Sequence, residues 1–145
     1  MKIPVKKINS ANPLGIEKPK YPGDAGLDLI APFDFVILPR GFQIIKHNFS
    51  IVIPEGFFGF IYPMSSTITM YRGELLVSCS PIDSGFRGEI FTMLTNISDE
   101  EIFISANTRL SQMVFLNHMA VEDVEIKDEL APSSRGANGF GSSGE

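Results

Sequence analysis

What this chain has little of narrows its chemistry first. A single cysteine, Cys79, excludes an intrachain disulfide, and the expectation for it is a small buried hydrophobe. Histidine occurs only twice, as His47 and His118, far from Cys79 and without a pair at metal-ligand spacing, so no zinc site is expected. The net charge of −5 lacks the basic stripe of a nucleic-acid binder, although a few local donors still suffice for a small anionic ligand. No apolar run is long enough to span a bilayer. The N-terminal "MKIPVKKINSANP" has lysines with no apolar core behind them, so a signal peptide is not expected either. These absences describe a soluble, intracellular chain with no membrane partner.

What is present suits one all-β domain. The 145 residues carry 43% hydrophobic residues and twelve phenylalanines, enough for a core. Short apolar stretches, among them "FDFVIL", "FSIVI", "FFGFIY", "ELLVS", "EIFIS" and "RLSQMVFLN", are punctuated by Gly, Pro and Asn. Phe49, Ile51 and Ile53 share one face, as do Ile102 and Ile104, which is the period of a strand. Many short strands with frequent turns predict a sandwich, jelly roll or barrel. One short helix is expected in "SSTITMYRG", capped by Ser65 or Ser66 and ended by Gly73.

Five segments break the apolar rhythm. In "YPGDAGLDLIAP", Asp28 sits between Leu27 and Leu29. There it either faces solvent or needs a partner such as an arginine or a hydrated metal. In "YPMSSTI", Ser65 and Ser66 read first as helix caps and only second as anion donors. "SPIDSGFRGEI" reads as a hairpin turn with Asp83 at its base and Phe86 and Arg87 beside it. Arg109 and Gln112 are polar anchors in an otherwise apolar strand. The Gly- and Ser-rich "SSRGANGFGSSGE" has a linker's composition, yet carries Arg135 and Phe140. Its "GANGFG" has the wrong spacing for a dinucleotide fingerprint, and no Walker A loop is present.

In order and spacing these segments resemble the five motifs of the trimeric dUTP diphosphatases: "AGLDLIA", "PMSST", "PIDSGFRGEI", "RLSQMVF" and "RGANGFGSSG". The resemblance runs from Ala25 to Gly144. It implies a jelly-roll subunit over residues 1–132, followed by a flexible arm, 133–145, that closes over an active site. It implies a homotrimer with shared sites that hydrolyses dUTP to dUMP and pyrophosphate with Mg²⁺, keeping uracil out of DNA. On that footing Asp83 is the base for the attacking water, and Asp28 holds the Mg²⁺ through water. Ser65, Ser66 and Gln112 contact phosphates. Ile82 and the following backbone read uracil, while Phe86 packs on the deoxyribose. Arg135 takes the γ-phosphate, Phe140 covers the base, and Gly141, Ser142 and Ser143 complete the arm.

Three positions depart from the family's pattern. Met64 replaces the usual arginine of the second motif, with Arg72 or Arg87 as substitute cations. Phe86 stands for Tyr, and Ser80 for Gly. An alternative reading is a catalytically weakened dUTP-binding regulator of the same fold. The related dCTP deaminases share the fold, but Met93 occupies the position of their catalytic glutamate.

Overall fold

Period-two alternation becomes twelve strands and one helix in the computed structural model, which describes residues 2–137. In chain order these are β1 (Val5–Lys7), β2 (Ile16–Glu17), β3 (Gly26–Ile30), β4 (Phe35–Ile37), β5 (Phe42–Lys46), β6 (Phe49–Ile51), β7 (Phe57–Pro63), α1 (Ser65–Met70), β8 (Leu75–Val77), β9 (Ser80–Ile82), β10 (Phe91–Asn96), β11 (Ile102–Ile104) and β12 (Arg109–Asn117). A five-stranded sheet runs β2-β3-β12-β7-β9, and a three-stranded sheet runs β5-β10-β8. Two further antiparallel pairs, β1-β6 and β4-β11, complete an all-β architecture.

The inward residues form two clusters. One gathers Ile37, Ile45, Leu94, Ile104 and Leu110; the other gathers Leu29, Phe49, Ile51, Ile61 and Met113. Phe49, Ile51 and Ile53 are buried on one face, as are Ile102 and Ile104, in agreement with their alternation.

A polar seam lies among these strands. His47 is fully buried; its Nδ1 lies 3.0 Å from the Ile30 carbonyl and its Nε2 lies 2.7 Å from the Thr92 hydroxyl. A carbonyl only accepts, so Nδ1 carries the proton and Nε2 accepts from Thr92. The Thr92 oxygen in turn accepts from the Ser111 hydroxyl at 2.7 Å. Thr92 sits between Ile90 and Leu94 on the inner face of β10, so the chain joins β3, β10 and β12 through the protein interior. Every polar atom in it is satisfied by a neutral imidazole. Burial accordingly lowers the His47 pKa to about 4.

Three local expectations are corrected. Cys79 is exposed, because it falls in the short connection between β8 and β9 rather than in a strand. Met64, in extended backbone, takes the cap position of α1 with no side-chain cap bond, and Ser65 is already helical. The strands flanking Asp83 do not pair with each other. β9 pairs with β7, whereas β10 pairs with β5 and β8, so residues 83–88 cross between two sheets instead of closing a hairpin.

Candidate active site

The five-stranded sheet brings three of the motif segments together. Tyr62 of β7, Gln112 of β12, Asp28 of β3 and Glu17 of β2 are successive cross-strand partners, so their side chains share one face. Arg109 joins them through a register shift. Arg109 faces Ile30, yet Ser111 faces Leu29, which leaves Leu110 as an extra residue in β12. Leu110 and Ser111 are both fully buried in consequence. Without that bulge Arg109 and Gln112, three residues apart, would point to opposite faces; with it both reach the Asp28 side.

Asp28 finds the arginine partner it requires. Its Oδ2 lies 3.0 Å from Arg109 Nε, and Arg109 Nη2 donates to Glu17 Oε2 at 3.0 Å. The Asp28 side chain is 21% exposed. Burial raises its pKa; Arg109 counters that shift, and the charges of Glu17 and Asp24 add to it. Gly26, in the same motif, has no room for a Cβ, which would collide with the Met113 carbonyl. The close approach of β3 to β12 beside Asp28 therefore requires glycine.

α1 follows β7 directly and is fastened to β12 by the Thr67 hydroxyl, which donates to the Arg109 and Leu110 carbonyls at 3.0 and 3.2 Å. Ser65 and Ser66 are exposed at its start, close to where β7 ends. The Ser65 and Ser66 hydroxyls and the Gln112 carboxamide make no hydrogen bond among the described residues, so all three are available to a ligand.

Asp83 lies elsewhere. It follows Ile82, which faces Gly59 on β7, so it stands level with Phe58. From Phe58 to Tyr62 is four residues, about 13 Å along the strand, and three strand spacings separate β9 from β3; Asp83 and Asp28 are thus roughly 20 Å apart in one chain. Asp83 is exposed and shares a cleft of about 300 Å³ with Phe58, Ser84 and His118. His118 escaped the sequence reading, since it belongs to no motif and only the strand pairing brings it to Asp83. The 83–88 loop is braced internally: Phe86 N–H donates to the Asp83 carbonyl at 3.0 Å. Arg87 Nη1 donates to the Ser84 and Phe86 carbonyls at 2.6 and 2.8 Å. The Ser84 and Gly85 amides make no hydrogen bond among the described residues. The Phe86 ring lies against Gly88, where a Cβ would collide with it.

These contacts bear on the missing cation at Met64. Arg87 is turned onto its own loop, whereas the Arg72 side chain has no hydrogen bond or ion pair among the described residues. Arg135 is exposed near the end of the described chain. Phe140, Gly141, Ser142 and Ser143 lie outside the described residues.

Among the described residues no three His, Cys, Asp or Glu side chains gather as a metal cage. Asp28, ion-paired and singly available, suits a hydrated Mg²⁺ carried by phosphates rather than a cation held by the protein alone. A larger, more apolar groove of about 910 Å³ opens beside β1, β2 and β3. Its lining includes neither Asp83, Ser65 nor Gln112, so it is not where this chemistry converges. No helix among the described residues is long and apolar enough to cross a membrane.

Comparison with known proteins bears on the family and the fold. Residues 13–144 match the family model for dUTPase. A deoxyuridine 5'-triphosphate nucleotidohydrolase of Tropheryma whipplei (strain Twist) is 38% identical over 125 residues, covering 86% of this chain and 85% of that protein. One from Hydrogenobaculum sp. (strain Y04AAS1) is 37% identical and covers 99% of both. Among solved structures, the dUTPase of Staphylococcus bacteriophage 80alpha with dUPNHPP superposes with a TM-score of 0.85 at 22% identity, covering 99% of each chain. A mutant dUTPase from phage phi11 of S. aureus, described for its coordination of a structural Mg(II) ion, gives 0.75 at 18% identity over 88% of this chain and 98% of that one.

Proposed function

The chain belongs to the dUTPase family, and on that premise we propose that it hydrolyses dUTP to dUMP and pyrophosphate at sites shared between chains, with Asp83 as the base. The observation that carries the shared site is the separation of the two acids. Asp83 has to reach a water at the α-phosphorus, about 3 Å away, and Asp28 has to reach the triphosphate through one metal-bound water, about 5 Å. Two carboxylates roughly 20 Å apart on one sheet cannot both do so for one nucleotide. Two copies can, one offering the 83–88 loop and the other the Asp28–Gln112 face. A homotrimer supplies three such pairings by rotation. The exposure of Met119, Val121, Val124, Ile126 and Leu130, between 72% and 93% in the single chain, also favours burial against another copy.

The chemistry then divides among named groups. The Asp83 carboxylate takes a proton from water as its oxygen attacks the α-phosphorus, and the bond to the bridging oxygen breaks with pyrophosphate as leaving group. Ser65, Ser66 and Gln112 donate to phosphate oxygens from the facing chain. The free amides of Ser84 and Gly85, next to Ile82, read the edge of uracil, and Phe86 packs on the sugar. Asp28 would hold a hydrated Mg²⁺, whose chemistry is to neutralise charge on the triphosphate. Residues 133–145 act as an arm, with Arg135 on the γ-phosphate, Phe140 over the base, and Gly141, Ser142 and Ser143 adding donors. Of the two substitute cations, Arg72 is the one left uncommitted to answer for Met64, since Arg87 is held by its own loop.

The test is pyrophosphate release across nucleotides with Mg²⁺. Release from dUTP is expected to exceed that from dCTP by at least about a hundredfold, since a site built to hydrogen-bond uracil leaves its groups unpaired against cytosine. UTP and dTTP are also expected to be slower, the first because its 2'-hydroxyl falls where Phe86 packs on the sugar, the second because of its added methyl group. A protein that binds dUTP without releasing pyrophosphate would instead be the regulator of the same fold.

A further inference from the structure

His118 stands one residue past β12, yet its N–H still donates to the Gly56 carbonyl at 3.1 Å. The β7–β12 pairing therefore continues beyond Asn117 and Phe57 and fixes the histidine backbone. Its ring meets Phe58 edge to face, with centroids 6.1 Å apart. That contact turns the imidazole toward the cleft it shares with Asp83 and Ser84. The imidazole and the Asp83 carboxylate form no direct ion pair among the described residues, and the cleft has room for a bridging water between them.

We propose that His118 is a positioning residue for Asp83, holding its carboxylate through a cleft water and setting the acid limit of its use as base. This rests on the assignment of Asp83 to the attacking water. A neutral imidazole hydrogen-bonds the bridging water and fixes the carboxylate orientation. An imidazolium instead stabilises the carboxylate anion and weakens it as a base. Of the side chains that line this cleft, histidine is the one able to exchange these two roles by gaining a proton. The other charged groups nearby do not fill this role. Glu55 lies in the turn before β7, next to the Gly56 carbonyl that pins His118. Arg87 is committed to the loop carbonyls. Glu122 and Asp123 follow on the histidine's own segment, β9 contributes no ionisable side chain, and Tyr62 is four residues further along β7.

The experiment is the pH profile of kcat/KM for dUTP, from about pH 5 to about pH 9, for the wild type and His118→Asn. The acid limb of the profile is expected to move to lower pH in the variant, with kcat changing more than KM. An independent reading is the NMR titration of the His118 ring in wild type and Asp83→Asn, where loss of the carboxylate should shift its midpoint downward. An acid limb unmoved by His118→Asn, or a His118 titration indifferent to Asp83→Asn, would overturn the proposal. Absence of dUTP turnover in the wild type would defeat the functional reading instead, and the titration alone would then decide whether the two side chains communicate.

Discussion

Asp83→Asn is expected to lower dUTP turnover by about a thousandfold or more while leaving dUTP binding within a few fold. The carboxamide has nearly the shape of the carboxylate but no basicity. Asp83 is exposed at the edge of its sheet and makes no side-chain hydrogen bond among the described residues, so the substitution costs the fold little. The loop that carries it is held by the Asp83 and Ser84 carbonyls and by Arg87, none of which the variant alters. Turnover and affinity therefore separate. Calorimetry with a non-hydrolysable dUTP analogue, set beside the pyrophosphate assay, measures both. A variant that keeps a tenth of wild-type turnover would remove Asp83 from the base role.

Acid should destabilise the protein through His47. Its folded-state pKa is about 4 because burial disfavours the imidazolium, whereas an unfolded chain titrates it near 6.5. Between those values the unfolded state binds more protons, so stability rises with pH across the window. The contribution is fully present above about pH 6.5 and is lost progressively as pH falls to about 4, a change on the order of 3 kcal/mol. Protonation also makes Nε2 a donor to the Thr92 hydroxyl, which reverses the direction of the run to Ser111. Urea midpoints measured for wild type and His47→Gln between about pH 4 and pH 7 should diverge, the wild type losing more stability on acidification. Parallel curves would assign the acid sensitivity to other groups.

The all-β class was legible because period two is a local property. Phe49, Ile51 and Ile53 need no partner to declare a face, and their burial follows. The candidate site was legible as a list of segments but not as a geometry. Arg109 and Gln112 have a spacing that normally splits them between faces, and only the bulge at Leu110, a matter of pairing with β3, unites them at Asp28. Turn residues at 83–85 suggested a hairpin because the chain reverses there; which strands pair is decided by distant partners, β7 for one side and β5 and β8 for the other. His118 gave no signal, since a lone histidine after an apolar strand says nothing about what the neighbouring strand carries. Cys79 departs from expectation for a related reason: composition favours burial of cysteine, but a two-residue connection between β8 and β9 leaves it outside.

Asp83 and Asp28 of different chains are expected to serve one nucleotide, and mixed assemblies test this directly. Asp28→Asn and Asp83→Asn proteins, each inactive, can be unfolded together in equal amounts, refolded and assayed for pyrophosphate release. If sites are shared, random assembly pairs an intact Asp83 with an intact Asp28 in about one quarter of them, and activity returns to about a quarter of wild type. If each chain builds its own site, every site keeps one damaged acid. The refolded mixture would then remain as inactive as its parents.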